Sequence, residues 1–330
     1  MIGHVVGKYK IREQIGEGGM GVVYRADHVM LGSPVAIKVL LPQFTTQPAV
    51  VERFFTEAKT TSAIRHPGIV QVFDFGRLED QRAYIVMEML RGENLTGFLS
   101  RRGTLDASLA TQIAMQLLSS LEAAHAHGVI HRDVKPDNIF IVRDPTAAGA
   151  IRVKVLDFGI AKLANAKVKD TSIVGTPAFM APEQCRGNAE IDARADLYAV
   201  GCILFQMLVG RPPFEAEGGE EMMAMHVYQP APHLRDFAPA MSPELDALVA
   251  KMLAKSPADR TPSAGWALAA LERLDLPALG GEVPLMGPQY GRPPPALTSG
   301  ISDRPSRFPL LVVLVAIVLA IAAFAAIAFL

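Results

Sequence analysis

Between residues 9 and 90, apolar and polar positions alternate in short β-rich runs at 9–15, 22–26, 35–40, 70–75 and 83–90, broken by Gly, Pro and charged turns. One stretch departs from that period. Over 51–64, Phe54, Phe55, Ala58 and then Thr61 or Ser62 recur at helical spacing with charges between them. The pattern predicts an antiparallel sheet carrying a single helix. Past Gly92 the period lengthens, predicting long helices at 107–127, capped by Asp106 and ended by Gly128, at 194–209, at 242–253 with Pro243 in its first turn, and at 263–274. The chain therefore reads as α+β, with a small β-rich lobe (9–90) carrying one helix and a larger α-helical lobe (91–274).

Residues 275–309 read as a linker. From Pro277 to Pro309 they hold many prolines and glycines, including Pro293-Pro294-Pro295, with no apolar period, the composition of a disordered or extended tether. Residues 310–330 contain no charged, polar, Gly or Pro residue and reach the roughly 20 positions a helix needs to cross hydrocarbon. They predict a C-terminal transmembrane helix.

Composition narrows the classes. The 330-residue chain has a formal net charge of −1, which gives no reason to expect a polyanion, so no nucleic-acid partner is expected. Its two cysteines, Cys185 and Cys202, cannot form a disulfide framework and sit in no metal-ligand spacing; they read as buried apolar thiols. Met1-Ile2-Gly3-His4 begins neither a signal peptide nor a myristoylation site.

The chemistry centres on His131-Arg132-Asp133-Val134-Lys135-Pro136-Asp137-Asn138. Phosphoryl transfer needs this set: Asp133 to orient a hydroxyl and accept its proton, Lys135 to balance charge on the moving phosphoryl group, Asn138 to hold a metal ion. Its partners lie elsewhere. In Gly16-Glu17-Gly18-Gly19-Met20-Gly21-Val22-Val23 the G-x-G-x-x-G spacing lets backbone amides approach phosphate oxygens. A predicted strand, not a helix, follows Gly21, which disfavours a dinucleotide fold. Val35-Ala36-Ile37-Lys38 sets an ammonium among apolar neighbours, where it needs a counter-charge. Glu57 on the lone small-lobe helix is preferred to Glu52 for that role, because the Phe54/Ala58 face turns it inward. Asp157-Phe158-Gly159 puts a carboxylate at a strand end, and with Asn138 it supplies hard oxygen ligands for Mg²⁺.

Taken in order, with Ala181-Pro182-Glu183 closing the series, these six motifs resemble the eukaryotic-type (Hanks-type) protein kinase family over residues 9–274. The resemblance implies the two-lobed kinase fold with Mg·ATP in the cleft, Lys38 on the α/β-phosphates paired with Glu57, Asp157 and Asn138 on Mg²⁺, and Asp133 as catalytic base. It also implies Met87 as gatekeeper, Glu88, Met89 and Leu90 as the hinge meeting adenine, and Ile15, Val23, Ala36 and Phe140 as walls of the base pocket. Glu183 and Arg260 match a structural ion pair of the family, and Asp196 the residue that braces the catalytic loop. Lys135 with Gly175-Thr176-Pro177 places the likeness in the serine/threonine branch, implying protein substrates with Ser or Thr acceptors.

Arg132 beside Asp133 matches the family's mark of control by phosphorylation, with Arg53 and Lys162 gathered to receive phosphate on Thr171 or Ser172. Arg304 and Arg307, close before the apolar run, and Arg292 further back keep the catalytic lobes on the cytoplasmic side of a cell membrane. The arrangement resembles bacterial membrane-anchored kinases, implying single-pass anchoring, self-association and autophosphorylation in trans. A membrane-anchored pseudokinase scaffold is the competing class. It would ordinarily lack Lys38, Asp133, Asn138 or Asp157, and all four are present.

Overall fold

The computed structural model describes residues 1–158, 177–188, 190–276 and 283–285, all within one unit, Met1–Gly291. The small lobe is a six-stranded antiparallel sheet in the order β1-β2-β3-β4-β6-β5: β1 Val5–Val6, β2 Tyr9–Glu17, β3 Gly21–His28, β4 Pro34–Leu40, β5 Val72–Arg77 and β6 Ala83–Glu88. A short turn of helix, α1 (Pro42–Thr45), precedes α2 (Pro48–Ala63). Val51, Phe54, Ala58 and Thr61 form the buried stripe of α2, and its apolar members pack with Leu40, Ala83 and Ile85 of the sheet. The helix starts at Pro48, whose fixed φ suits a first turn where the missing N–H costs nothing. The sequence pattern began it at residue 51 and overlooked α1.

The large lobe is built on α4 (Ala107–Ala126) and α6 (Arg194–Val209). Asp106 caps α4 by accepting the Leu109 N–H at 2.9 Å. Nearly every residue of α6 from Ala195 to Leu208 is buried, as expected of a helix apolar all round, and Gly210 at φ +89 ends it in a left-handed turn. Helices α8 (Pro243–Met252) and α9 (Ala264–Glu272) begin on the N-caps Ser242 and Ser263. Gly201 lets α8 approach α6, since a Cβ there would lie 2.9 Å from Met252 Cβ. Helices α3 (Leu95–Arg102), α5 (Pro182–Cys185) and α7 (Gly219–Tyr228) were not expected from periodicity.

A second sheet, β7 (Gly92–Asn94), β8 (Ile139–Arg143) and β9 (Ile151–Val155), matters most for function. The β8/β9 hairpin pairs Ile139 with Val155, so Asn138 just before it and Leu156 just after it are neighbours, joined by Leu156 N–H to Asn138 C=O at 2.9 Å. Residues remote in sequence meet there. The segment Gly68–Val70 is stitched to β9 through Val155 N–H to Gly68 C=O (2.8 Å) and Val70 N–H to Val155 C=O (3.1 Å).

One part of the expected linker is ordered against the large lobe. Val283 is buried in its core, its N–H donates to Gly149 C=O at 3.1 Å, and Arg102 Nη2 donates to Pro284 C=O at 3.3 Å. The reading of 275–309 as tether is corrected for these residues. Among the described residues no helix is long and apolar enough to cross a membrane; positions 310–330 lie outside them.

Candidate active site

A cavity of about 250 Å³ opens under the β2–β3 turn. Ile15, Val23, Ala36 and Phe140 wall it, as the resemblance implied, and Val70 and Leu156 complete the apolar surface. Met87, Glu88, Met89 and Leu90 run along one side. Glu88 is held by Lys154 (Nζ to Oε1, 2.6 Å) and by the Gln71 N–H (2.8 Å), while its own N–H donates to Gln71 C=O (2.9 Å). That clamp fixes the strand end carrying Met89, whose backbone groups make no hydrogen bond to another described residue. An aromatic base edge needs such a donor and acceptor beside apolar walls.

The glycine turn closes with Gly18 N–H to Gly21 C=O at 2.9 Å. Its glycines divide into two kinds. A Cβ on Gly21 would meet Val39 C=O at 2.7 Å, so packing on β4 demands glycine there. A Cβ on Gly16 or Gly18 would meet nothing closer than 4.0 Å, and one on Gly19 nothing within 4 Å. The fold leaves that space open, which fits a phosphate approached by backbone amides. Glu17 and Val22 pair across β2 and β3, and Met20 packs on the cluster that includes Phe54, so these three serve the turn's shape.

At the base of the cleft, Lys38 Nζ lies 2.7 Å from Asp157 Oδ1. The expected Lys38–Glu57 pair is not formed; no salt bridge within 4.0 Å joins them. Burial alone would lower the Lys38 pKa, but Asp157, Glu57 and Asp133 outweigh it and raise the ammonium above its ordinary value. Burial pushes Asp157 up, and the Lys38 ammonium, by charge and hydrogen bond and with Lys135 behind it, reverses this to leave it below the usual carboxylate range. For Glu57 burial dominates, opposed by Lys38 and reinforced by Asp157 and Asp133, and its carboxyl is pushed up to about 8.

The catalytic loop is held from below by Asp196 at the start of α6. Its Oδ1 accepts the Arg132 N–H (2.8 Å), and its Oδ2 accepts the His131 N–H (2.8 Å) and the His125 Nε2 hydrogen (2.8 Å). His131 Nε2 donates to Leu156 C=O at 2.9 Å, leaving Nδ1 to accept the Asp133 N–H at 3.2 Å, so the ring is the neutral Nε2–H tautomer. Its ring packs on Phe158 at 4.8 Å. The Asn138 amide donates to Asp133 C=O (2.9 Å) and Oδ2 (3.2 Å), and Lys135 Nζ sits 3.5 Å from Asp133 Oδ2. Asn138 Oδ1 and Asp157 Oδ2 are thereby left without a protein donor among the described residues.

Two protein oxygens do not make a closed metal cage, and among the described residues no group of three or more His, Cys, Asp or Glu is placed to hold a metal ion by itself. The pair fits Mg²⁺, which keeps waters and binds phosphate oxygens alongside one or two protein ligands. The cavity, the open glycine turn and the Lys38 ammonium fit a nucleoside triphosphate.

Glu183 and Arg260 form a buried bidentate pair at 2.7 and 2.6 Å, and Arg260 also donates to the carbonyls of Ala254, Arg194 and Lys255. Arg132 Nη1 is buried without a partner among the described residues. Gly159, Lys162, Thr171, Ser172, Gly175 and Thr176 lie outside those residues. Sequence reasoning missed Val70, Leu156, Lys154 and Gln184. The run of β9 through Val153 and Val155 carries a signal for Leu156; nothing local marks Lys154 or Gln184.

A family model described as the protein kinase domain matches residues 9–270. The serine/threonine-protein kinase Pkn1 of Myxococcus xanthus is 44% identical over 264 residues, 79% of this chain and 37% of that protein. The serine/threonine-protein kinase PknH of Mycobacterium tuberculosis is 39% identical over 280 residues, 84% of this chain and 43% of that protein. The chain thus spans less than half the length of these two relatives. The crystal structure of the Mycobacterium tuberculosis PknI kinase domain superposes with a TM-score of 0.65 at 28% identity, covering 82% of this chain and 98% of that one.

Proposed function

This chain belongs to the protein kinase family, and on that premise we propose that it transfers the γ-phosphoryl group of Mg·ATP to serine or threonine hydroxyls of proteins. The observation that carries the reading is the meeting of Lys38, Asp157, Asn138 and Asp133 at the base of one cleft, through Lys38–Asp157 at 2.7 Å and Asn138–Asp133 at 3.2 Å. The acceptor oxygen bonds to the γ-phosphorus, the bond from that phosphorus to the β–γ bridging oxygen breaks, Asp133 takes the hydroxyl proton, and ADP leaves. Lys135, beside Asp133, balances charge on the moving group. Asn138 and Asp157 would hold Mg²⁺, which neutralises phosphate charge.

Lys38 contacts the α/β-phosphates once Glu57 takes over as its partner and Asp157 is freed. The pseudokinase alternative is disfavoured by the presence of all four polar groups. Transfer of labelled phosphate from Mg·ATP to the protein itself and to myelin basic protein tests the reading, with Asp133→Asn as control. Loss of the base removes about 10²–10⁴-fold; equal labelling by parent and variant would overturn the assignment.

The relatives' longer chains leave the wider role of this protein to proposal. Residues 310–330 anchor it as a single-pass helix in the cell membrane, with the catalytic lobes on the cytoplasmic side of Arg304 and Arg307. Confinement to the membrane plane raises the encounter rate between copies and favours autophosphorylation in trans. Phosphate on Thr171 or Ser172 docks at Arg132, Lys162 and Arg53. Recovery of the intact chain in the soluble fraction without detergent would sink the anchor. Full activity of a Thr171→Ala/Ser172→Ala variant carrying no phosphate between 162 and 176 would sink the control.

A further inference from the structure

The geometry points to Gln184 as a positioning residue for Asp133, an inference that rests on the phosphotransfer reading above. Arg132 has φ +63, a left-handed backbone that a non-glycine residue adopts only when its surroundings over-determine it. Two side chains from different elements do so. Asp196 Oδ1 accepts the Arg132 N–H at 2.8 Å, and Gln184 Nε2 donates to the Arg132 C=O at 2.9 Å.

The Arg132–Asp133 peptide is then pinned at both ends, because its N–H donates to His131 Nδ1 at 3.2 Å. A peptide plane fixed by donor and acceptor sets the direction in which the Asp133 side chain leaves the backbone. Gln184 and Asp133 line the same small cavity, and the Gln184 Oε1 accepts the Ala181 N–H at 3.0 Å. One carboxamide therefore ties the start of α5, which follows the Pro177–Phe179 turn, to the residue before the base. Its two functions are separable: the acceptor orders α5, and the donor holds the catalytic loop.

Gln184→Glu keeps an acceptor for Ala181 and removes the donor to Arg132; Gln184→Met removes both at similar volume. In the intact protein, with myelin basic protein as acceptor and kcat counted per nucleotide-binding site, both variants lose about 10- to 100-fold in kcat, the cost of a misplaced catalytic group. KM for ATP stays within about twofold, because the hinge and Lys38 are untouched. A purely structural Gln184 would lower Tm in Gln184→Met and leave kcat per site at the parental value in Gln184→Glu, and that result overturns the inference. Loss of nucleotide sites in both variants also counts against it, since neither Gln184 nor Asp133 lines the cavity walled by Ile15, Val23, Ala36 and Phe140. Asp133→Asn is run alongside. If it is inactive while Gln184→Glu keeps parental kcat, only this inference fails; if it labels like the parent, the phosphotransfer reading itself fails.

Discussion

Lys38 is paired with Asp157, Nζ to Oδ1 at 2.7 Å, while Glu57, expected as its partner, makes no salt bridge with it. One cation thus faces three acidic groups, Asp157, Glu57 and Asp133, and each raises its pKa. Asp157 holds the close contact and Glu57 is left partly buried with a carboxyl pushed up to about 8. The Lys38 ammonium compensates Asp157 directly, and burial favours the neutral form of the Glu57 carboxyl. A metal on Asp157 competes directly with that pair.

The Glu57 shift fixes the sign of a pH dependence. A carboxyl whose folded pKa lies above its unfolded value binds an extra proton in the native state; its contribution is fully present below the unfolded value of 4.5 and lost as pH rises through about 8. Nucleotide-free protein therefore loses stability at this site between roughly pH 5 and 8. Thermal unfolding of parent and Glu57→Gln across that range checks it. The difference between the two profiles should slope with pH, and parallel profiles would remove the case for a protonated Glu57.

The glycine turn offers a separation of packing from ligand approach. Gly21→Ala drives a methyl into Val39 C=O at 2.7 Å and should cost stability by about 1–3 kcal/mol through overpacking. Gly19→Ala meets nothing within 4 Å, so its stability should change by no more than about 0.5 kcal/mol. Its KM for ATP should rise severalfold if phosphate occupies the open space. Denaturant unfolding and ATP saturation curves on both variants read these effects, and an unchanged KM in Gly19→Ala would place the phosphates elsewhere.

Much of this molecule could be read from the chain, and the gaps have physical causes. Helix α6 matched at both ends because its apolar residues run from Leu197 to Val209, interrupted by only Gly201 and Gln206, up to Gly210. Helix α3 escaped notice because eight residues anchored by Leu95, Phe98 and Leu99 are too few for a clear period. The motif order named the groups in the cleft, and the structure gathers Lys38, Asp133, Asn138 and Asp157 there. That order named Glu57 as the acid facing Lys38, where the structure has Asp157. Partner choice depends on how β9 delivers Asp157 relative to α2, a tertiary matter invisible to spacing. Gln184 was illegible for the same reason, since its contact with Arg132 spans 52 positions.

Glu183 and Arg260 support the lobe without touching the chemistry. Both side chains are nearly inaccessible, at 5% and 0% exposure, and Arg260 is further saturated by three carbonyls. Removing one partner strands the other charge in the interior. Glu183→Leu should destabilise by about 3–5 kcal/mol, whereas Glu183→Leu with Arg260→Met should recover part of that loss. Urea unfolding of the two single variants and the double variant measures the coupling, and strictly additive losses would show the pair to be energetically idle.

Val283 extends the folded lobe into a stretch that composition marks as tether. Its side chain is 7% exposed within the large-lobe core, and its N–H and the neighbouring Pro284 carbonyl bond to Gly149 and Arg102. Val283→Ala removes two buried methyl groups and should lower stability by about 1.5 kcal/mol. Deletion of 283–285 alone, with the rest of the chain kept, should lower it further through loss of both hydrogen bonds. Arg102 also stacks on Phe98 at 4.7 Å, so α3 should lose hydrogen-exchange protection together with Val283. If Val283→Ala leaves the urea midpoint unchanged and α3 equally protected, the lobe ends before this segment and the contacts carry no stability.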